Sequence, residues 1–149
     1  MNKKYACYCG LNCKNCAVKV KVEPTAANLL NEMNKLGFES IISFFPKGED
    51  FWSFLNTMSR KGLCLSCKEG SGNPTCKVRQ CARERNIEMC AFCDEYPCNY
   101  FSDFFKGYST LESDNKLLRN QGWQEWEKLQ KKRNNNGIAM AYKIDKNKE

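Results

Sequence analysis

Residues 64–98 read CLSCKEGSGNPTCKVRQCARERNIEMCAFCDEYPC and hold seven of the chain's eleven cysteines. Two C-x-x-C pairs, Cys64/Cys67 and Cys90/Cys93, enclose Cys76 and Cys81, and Cys98 follows. A C-x-x-C turn sets two sulfurs on one side of a tight loop. Zinc takes four such sulfurs at about 2.3 Å in a tetrahedron, so two turns from distant parts of a chain complete one site. Residues 7–16, CYCGLNCKNC, supply the remaining Cys7, Cys9, Cys13 and Cys16.

The chain has no histidine. That removes mixed Cys/His zinc sites and leaves all-cysteine ones. It also weakens catalytic-zinc readings, which use histidine or carboxylate ligands and an open position. The expected metal ligands are Cys9, Cys13, Cys16, Cys64, Cys67, Cys76, Cys81, Cys90, Cys93 and Cys98, with Cys7 set aside as a free thiol or an alternative ligand. Spacing does not say which of them share an ion. One expected arrangement joins the N-terminal run to a central C-x-x-C turn. Cys76 and Cys81 are five apart, so a regular helix would turn them roughly 140° from each other. They can share an ion only if Cys76 lies just before the helix begins.

Composition bounds the rest. At 149 residues with 42% hydrophobic content, the chain is expected to form a single domain. Met1-Asn2-Lys3-Lys4 has no apolar run behind it, and no window approaches the roughly 18 apolar residues of a membrane span. The expected location is the cytoplasm, where thiols stay reduced and a cysteine framework points to metal rather than disulfides. The formal charge is +7. Residues 115–149 carry nine Lys or Arg against four Asp or Glu, so most of it lies in the last quarter. A solvated basic tail over about 134–149 accounts for part of that excess.

The expected fold is mainly α, a small cysteine-rich, metal-stapled domain with irregular loops and little β. Val18 to Val22 alternates valine with lysine, which predicts a brief extended segment. A helical insert spans about 24–62. Its first helix opens at Pro24-Thr25 with Thr25 as N-cap, presents Ala26, Leu29, Leu30, Met33 and Leu36, and stops at Gly37. A short second helix carries Phe38, Ile41, Ile42 and Phe45 up to Pro46. A third runs from about Asp50 to Lys61 with Phe51, Phe54, Leu55 and Met58 inward. Residues 69–74 are loop, and Thr75 to Arg85 is a helix whose Lys77, Arg79, Arg83 and Arg85 make a positive surface.

Pro97 opens a further helix with Tyr100, Phe101, Phe104 and Phe105 on its apolar face and Gly107 at its close. Leu111, Leu117 and Leu118 mark one more, and Trp123, Trp126 and Leu129 another, ending at Lys131-Lys132-Arg133. Asn134 to Gly137 breaks the pattern. Ile138, Met140, Tyr142 and Ile144 alternate as one strand, or lie extended across the body.

Other chemistries compete with zinc for these thiols. Cys9-x3-Cys13-x2-Cys16 has the spacing of the [4Fe–4S] site of radical S-adenosylmethionine enzymes, but the chain is short and lacks βα alternation. An Fe–S cluster of another kind remains the alternative cofactor, because thiolates suit both metals. A dithiol oxidoreductase would place its C-x-x-C at a helix start in a βαβ pattern, which is missing. Without histidine there is no Ser–His or Cys–His pair, and a reactive cysteine has no partner base. No catalytic residue is expected. Nucleic-acid binding through Lys77, Arg79, Arg83, Arg85 and Lys131–Arg133 is a further alternative.

Three stretches together resemble the cysteine-rich prokaryotic family called Domain of Unknown Function 3795. They are Cys9-Gly10-Leu11-Asn12-Cys13-Lys14-Asn15-Cys16, the run Gly72 to Ala82, and Cys90-Ala91-Phe92-Cys93-Asp94-Glu95-Tyr96-Pro97-Cys98. Trp126, Arg133 and Gly137 also fit its C-terminal pattern. Ala17 stands where that pattern has proline. The resemblance implies that the cysteines from Cys9 to Cys98 form a shared framework to which Cys7 is an addition. It implies zinc binding and assigns no further role.

Overall fold

A computed structural model describes residues 3–101, 106–108, 110–139 and 142–143. The chain is mainly α and divides into two units. The first joins residues 1–16 to 66–149, and the second is Ala17–Leu65. The second unit contains the stretch 24–62 expected as a helical insert.

In the insert, α1 (Glu23–Lys35) packs on α2 (Gly48–Arg60). Ala26, Leu30 and Met33 of α1 meet Ile42 and Leu55, with Phe38, Trp52 and Met58 at the rim. Gly37, at φ 70°, ends α1 as expected. Several expectations change, and Leu29 of α1 and Leu36 at its end are exposed rather than inward. Val18–Val22 is not extended but a widened turn of π-helix leading into α1, and the Glu23 N–H bonds the Val18 carbonyl. Pro24 has no N–H to bond Val20, and its ring crowds that carbonyl, so the turn upstream opens to i→i+5. The helix consequently starts before Thr25, which is not its cap.

Phe38 to Phe45 forms two single turns of 3-10 helix, Phe38–Ser40 and Ile42–Phe44, rather than one α-helix. The inward face of α2 is Trp52, Leu55 and Met58, while Phe51 and Phe54 are exposed. Leu55 and Met58 keep their places and Trp52 replaces Phe51 and Phe54, a rotation of about 50°. α1 and the turn at Ile42–Phe44 pack on α2, which carries more apolar side chains than that contact covers.

In the other unit, α3 (Lys77–Glu84) sits close to its expected place. Tyr96–Pro97 is a cis peptide followed by a 3-10 turn, Asn99–Phe101, so Pro97 does not open an α-helix. Phe104 and Phe105 lie outside the described residues. The two expected late helices are the two limbs of α4 (Leu111–Asn135), which breaks at Gly122 with φ 81° and ψ −175°.

Gln130 Nε2 donates to Asp114 Oδ2 at 2.8 Å. Sixteen residues of straight helix would hold those positions about 24 Å apart, so the limbs of α4 fold back on each other at Gly122. Asp114 also pairs with Arg133 across the fold. Burial pushes the Asp114 carboxyl upward, against the hydrogen bond from Gln130 and the charge of Arg133. Leu118 and Trp126, one from each limb, close over Ala6, Met89 and Ala91.

After Gly137 the chain forms a small antiparallel pair, β1 (Ile138–Ala139) and β2 (Tyr142–Lys143), with Ile138 opposite Lys143. The alternating tail is thus paired with itself and is not one strand. Met140 and Ile144 lie outside the described residues, as does half of the expected basic tail.

Candidate metal centre

The N-terminal cysteines are gathered by one tight turn. The Cys7 N–H bonds the Leu11 carbonyl at 2.8 Å, the Gly10 N–H bonds Cys7 at 3.0 Å, and Ala6 pairs with Asn12. Asn12 then caps the 3-10 turn Cys13–Asn15 through the Lys14 N–H. Gly10 has φ 106°, and a Cβ there would lie 1.9 Å from Asn115 Oδ1. Only glycine meets both conditions. Asn115, fully buried on α4, donates Nδ2 to the Cys9 carbonyl at 2.8 Å. Asn15 Nδ2 donates to the Gln130 carbonyl at 2.9 Å. The turn is thereby anchored to both limbs of α4.

Cys7 is central to the first group of thiols. Its Sγ lies 3.0 Å from Cys13 Sγ, and it also hydrogen-bonds Cys67 and Cys9. Those bonds, in the order Cys13, Cys67, Cys9, push the Cys7 thiol well above the usual range, and burial adds to the effect. Cys67 moves the other way, to about 6. The hydrogen bond from Cys7 is the largest cause; the Tyr8 backbone and the charges of Arg79 and Arg83 assist, against burial.

Of the expected positive surface, Lys77, Arg83 and Arg85 are exposed, and Arg79 is the exception. Arg79 is only 6% exposed and donates to the Ser71 and Asn73 carbonyls, each at 2.7 Å. Arg83 reaches the Lys68 carbonyl, and Arg85 pairs with Glu95 at 2.8 Å. The helix spends its positive charge on the loop at 68–73 and on one carboxylate, because unmet carbonyls there need donors.

The second group surrounds a cavity of about 380 Å3. Cys81 of α3, Cys90 and Cys93 of a 3-10 turn, and Cys98 all line it, with Arg85 and Glu95 among the other lining residues. The Cys90 N–H bonds the Tyr8 carbonyl at 2.8 Å, which sets this turn against the N-terminal one. The Cys90 thiol is pushed up to about 12, by burial first and then by the charges of Cys9, Cys98, Cys81 and Cys93. Crowded thiolates repel, and a buried thiol beside them keeps its proton.

The placement of Cys76 answers the phase question. It is the extended N-cap residue of α3, just ahead of the helix, and it packs against the core around Cys7, Cys9 and Cys13. Cys81, one and a half turns on, lines the cavity. Cys16 is half-buried where the N-terminal piece of this unit ends, and Cys64 belongs to the insert. None of the eleven cysteines, all within the described residues, is in a disulfide. Among the described residues, no group of three or more Cys, Asp or Glu side chains already stands in metal-binding geometry. The cavity therefore brings thiols to one opening without forming a finished ion cage.

Residues 5–103 match the family model described as Protein of unknown function (DUF3795). The chain belongs to the DUF3795 family. No curated protein and no solved structure matches it. The DUF3795 match takes in every cysteine and ends before α4. Asn115, which holds Gly10 and Cys9 in place, lies beyond the matched stretch. Sequence reasoning missed Asn115 and the inward Arg79; the one available signal was Gly10, whose need for a close neighbour names no partner.

Proposed function

We propose that this DUF3795 protein binds zinc through Cys81, Cys90, Cys93 and Cys98 and serves as a structural or interaction module. What supports the reading is that these four thiols line one cavity in a chain without histidine. Four thiols fit the donor set of an all-cysteine zinc site. The crowding that keeps Cys90 protonated is relieved when a divalent cation takes the protons' place. α3 would hold Cys81, and the turn anchored on Tyr8 would hold Cys90 and Cys93. Bound zinc would contribute folding energy and fix the two turns against each other.

A second reading, an Fe–S cluster on the same thiols, is favoured by one observation. The opening of about 380 Å3 is larger than one zinc ion requires, and the thiols are not already closed on a single point. Elemental analysis of protein purified without oxygen separates the two. Zinc at about one ion per chain in a colourless preparation supports the first reading. Iron with sulfide and visible charge-transfer absorbance replaces it with the second. Metal content unchanged in a C90S/C93S variant sinks both.

A further inference from the structure

The thiol group around Cys7 has different geometry from the cavity. Cys7 Sγ lies 3.0 Å from Cys13 Sγ, and both residues are buried. They stand on the two limbs of one tight turn, held by the Ala6–Asn12 pair and the Cys7 N–H bond to Leu11. A disulfide needs a sulfur separation of about 2.05 Å, so this pair has to close by roughly 1 Å. Cys67, half-buried where Cys7 and Cys13 are buried, packs against the same core and is the more accessible thiol. The arrangement is a buried sulfur pair with a third, more accessible thiol on the same core. It suits disulfide formation and exchange through Cys7.

We propose that Cys7 and Cys13 form a reversible disulfide, entered through Cys67, with small hydroperoxides as the oxidant. Hydrogen peroxide converts the Cys67 thiol to a sulfenic acid and releases water. The Cys7 thiol attacks that sulfur, forming a Cys7–Cys67 disulfide and releasing a second water. The Cys13 thiol then attacks Cys7, leaving a Cys7–Cys13 disulfide and returning Cys67 as a thiol. In sum, two thiols and one peroxide give one disulfide and two waters. A dithiol reductant reverses the change. The metal-binding thiols proposed above take no part, so this site works whether the cavity holds zinc, an Fe–S cluster or nothing.

The test uses the full chain as purified, treated with one equivalent of hydrogen peroxide, alkylated and digested with chymotrypsin. Cleavage after Tyr8 and Leu11 separates Cys7, Cys9 and Cys13 into different peptides. The expected product is a Cys7–Cys13 cross-link with Cys90 and Cys93 still alkylated, reversed by dithiothreitol. C67S is expected to slow peroxide consumption at least tenfold, and C7S to halt at a Cys67 sulfenic acid with no disulfide to Cys13, both with metal content per chain unchanged. Oxidation that begins at Cys90 or Cys93, or a Cys7 that stays fully alkylated, overturns the proposal in the wild-type protein alone. Loss of metal in folded C7S also overturns it and makes Cys7 a ligand.

Discussion

The insert and the cysteine unit solve the same problem with different materials. Ala17–Leu65 buries aliphatic and aromatic side chains at helical spacing around Leu55. The other unit builds its main core from Cys7, Cys9, Cys13 and Cys90 among Leu11, Val78, Phe101 and Leu111. The buried polar side chains found among the described residues, Asn15, Ser66, Arg79, Asp114, Asn115 and Gln130, all lie in the cysteine unit. An apolar core tolerates small shifts, because dispersion and the hydrophobic effect have little direction. A core of thiols and amides does not, since each unmet donor or acceptor costs about 1–3 kcal/mol. The cysteine unit thus depends on particular partners, and the insert depends on volume.

The largest expected effect comes from removing metal. If zinc holds the cavity thiols, a chelator with reductant withdraws on the order of 10 kcal/mol of folding free energy from the cysteine unit. Peptide-resolved hydrogen exchange should then show protection lost from 66–101 and α4 and kept in α1 and α2. Cooperative melting of the whole reduced, metal-free chain would break the contrast. G10A is next. It combines a positive φ with a Cβ placed against Asn115, and about 3 kcal/mol or more should be lost. Urea melts of G10A and N115A check this, and a G10A midpoint equal to wild type would show that the turn is not held as described.

In the insert, L55A opens a cavity at a residue only 1% exposed and should cost about 3 kcal/mol, with exchange rising in α1 and α2 alone. Faster exchange around Cys90 in L55A would show that the two units are not energetically separate. The smallest effect is expected for F44S. Phe44 is 81% exposed, so the change should stay within about 0.5 kcal/mol. A loss above about 1.5 kcal/mol in thermal melts would mean that the ring is covered in solution.

Much of the insert is legible because its signals are local. Gly37 stops α1, and Ala26, Leu30 and Met33 face inward at the expected period. Val18–Val22 misleads because alternation describes side chains, whereas Pro24 acts on the backbone hydrogen bonds upstream. Phe51 and Phe54 mislead because hydrophobicity offers several possible faces, and the neighbour chooses among them. Arg79 misleads for a related reason: its charge predicts a surface, but two loop carbonyls within 2.7 Å hold it inside.

The sequence by itself determined the chemistry on offer: eleven thiols, no histidine, C-x-x-C turns that each present two sulfurs, and helices ended by glycine. Tertiary structure alone decided which sulfurs meet. It brought Cys7 to Cys13 and Cys67, placed Cys76 ahead of α3 and away from the cavity lining, and opened Cys81 with Cys90, Cys93 and Cys98 onto one cavity. The physical reason is range. Turn geometry and helix phase act over a few residues. The meeting of distant cysteines depends on the path between them, which buried Asn115 and Arg79 pin from elsewhere in the chain.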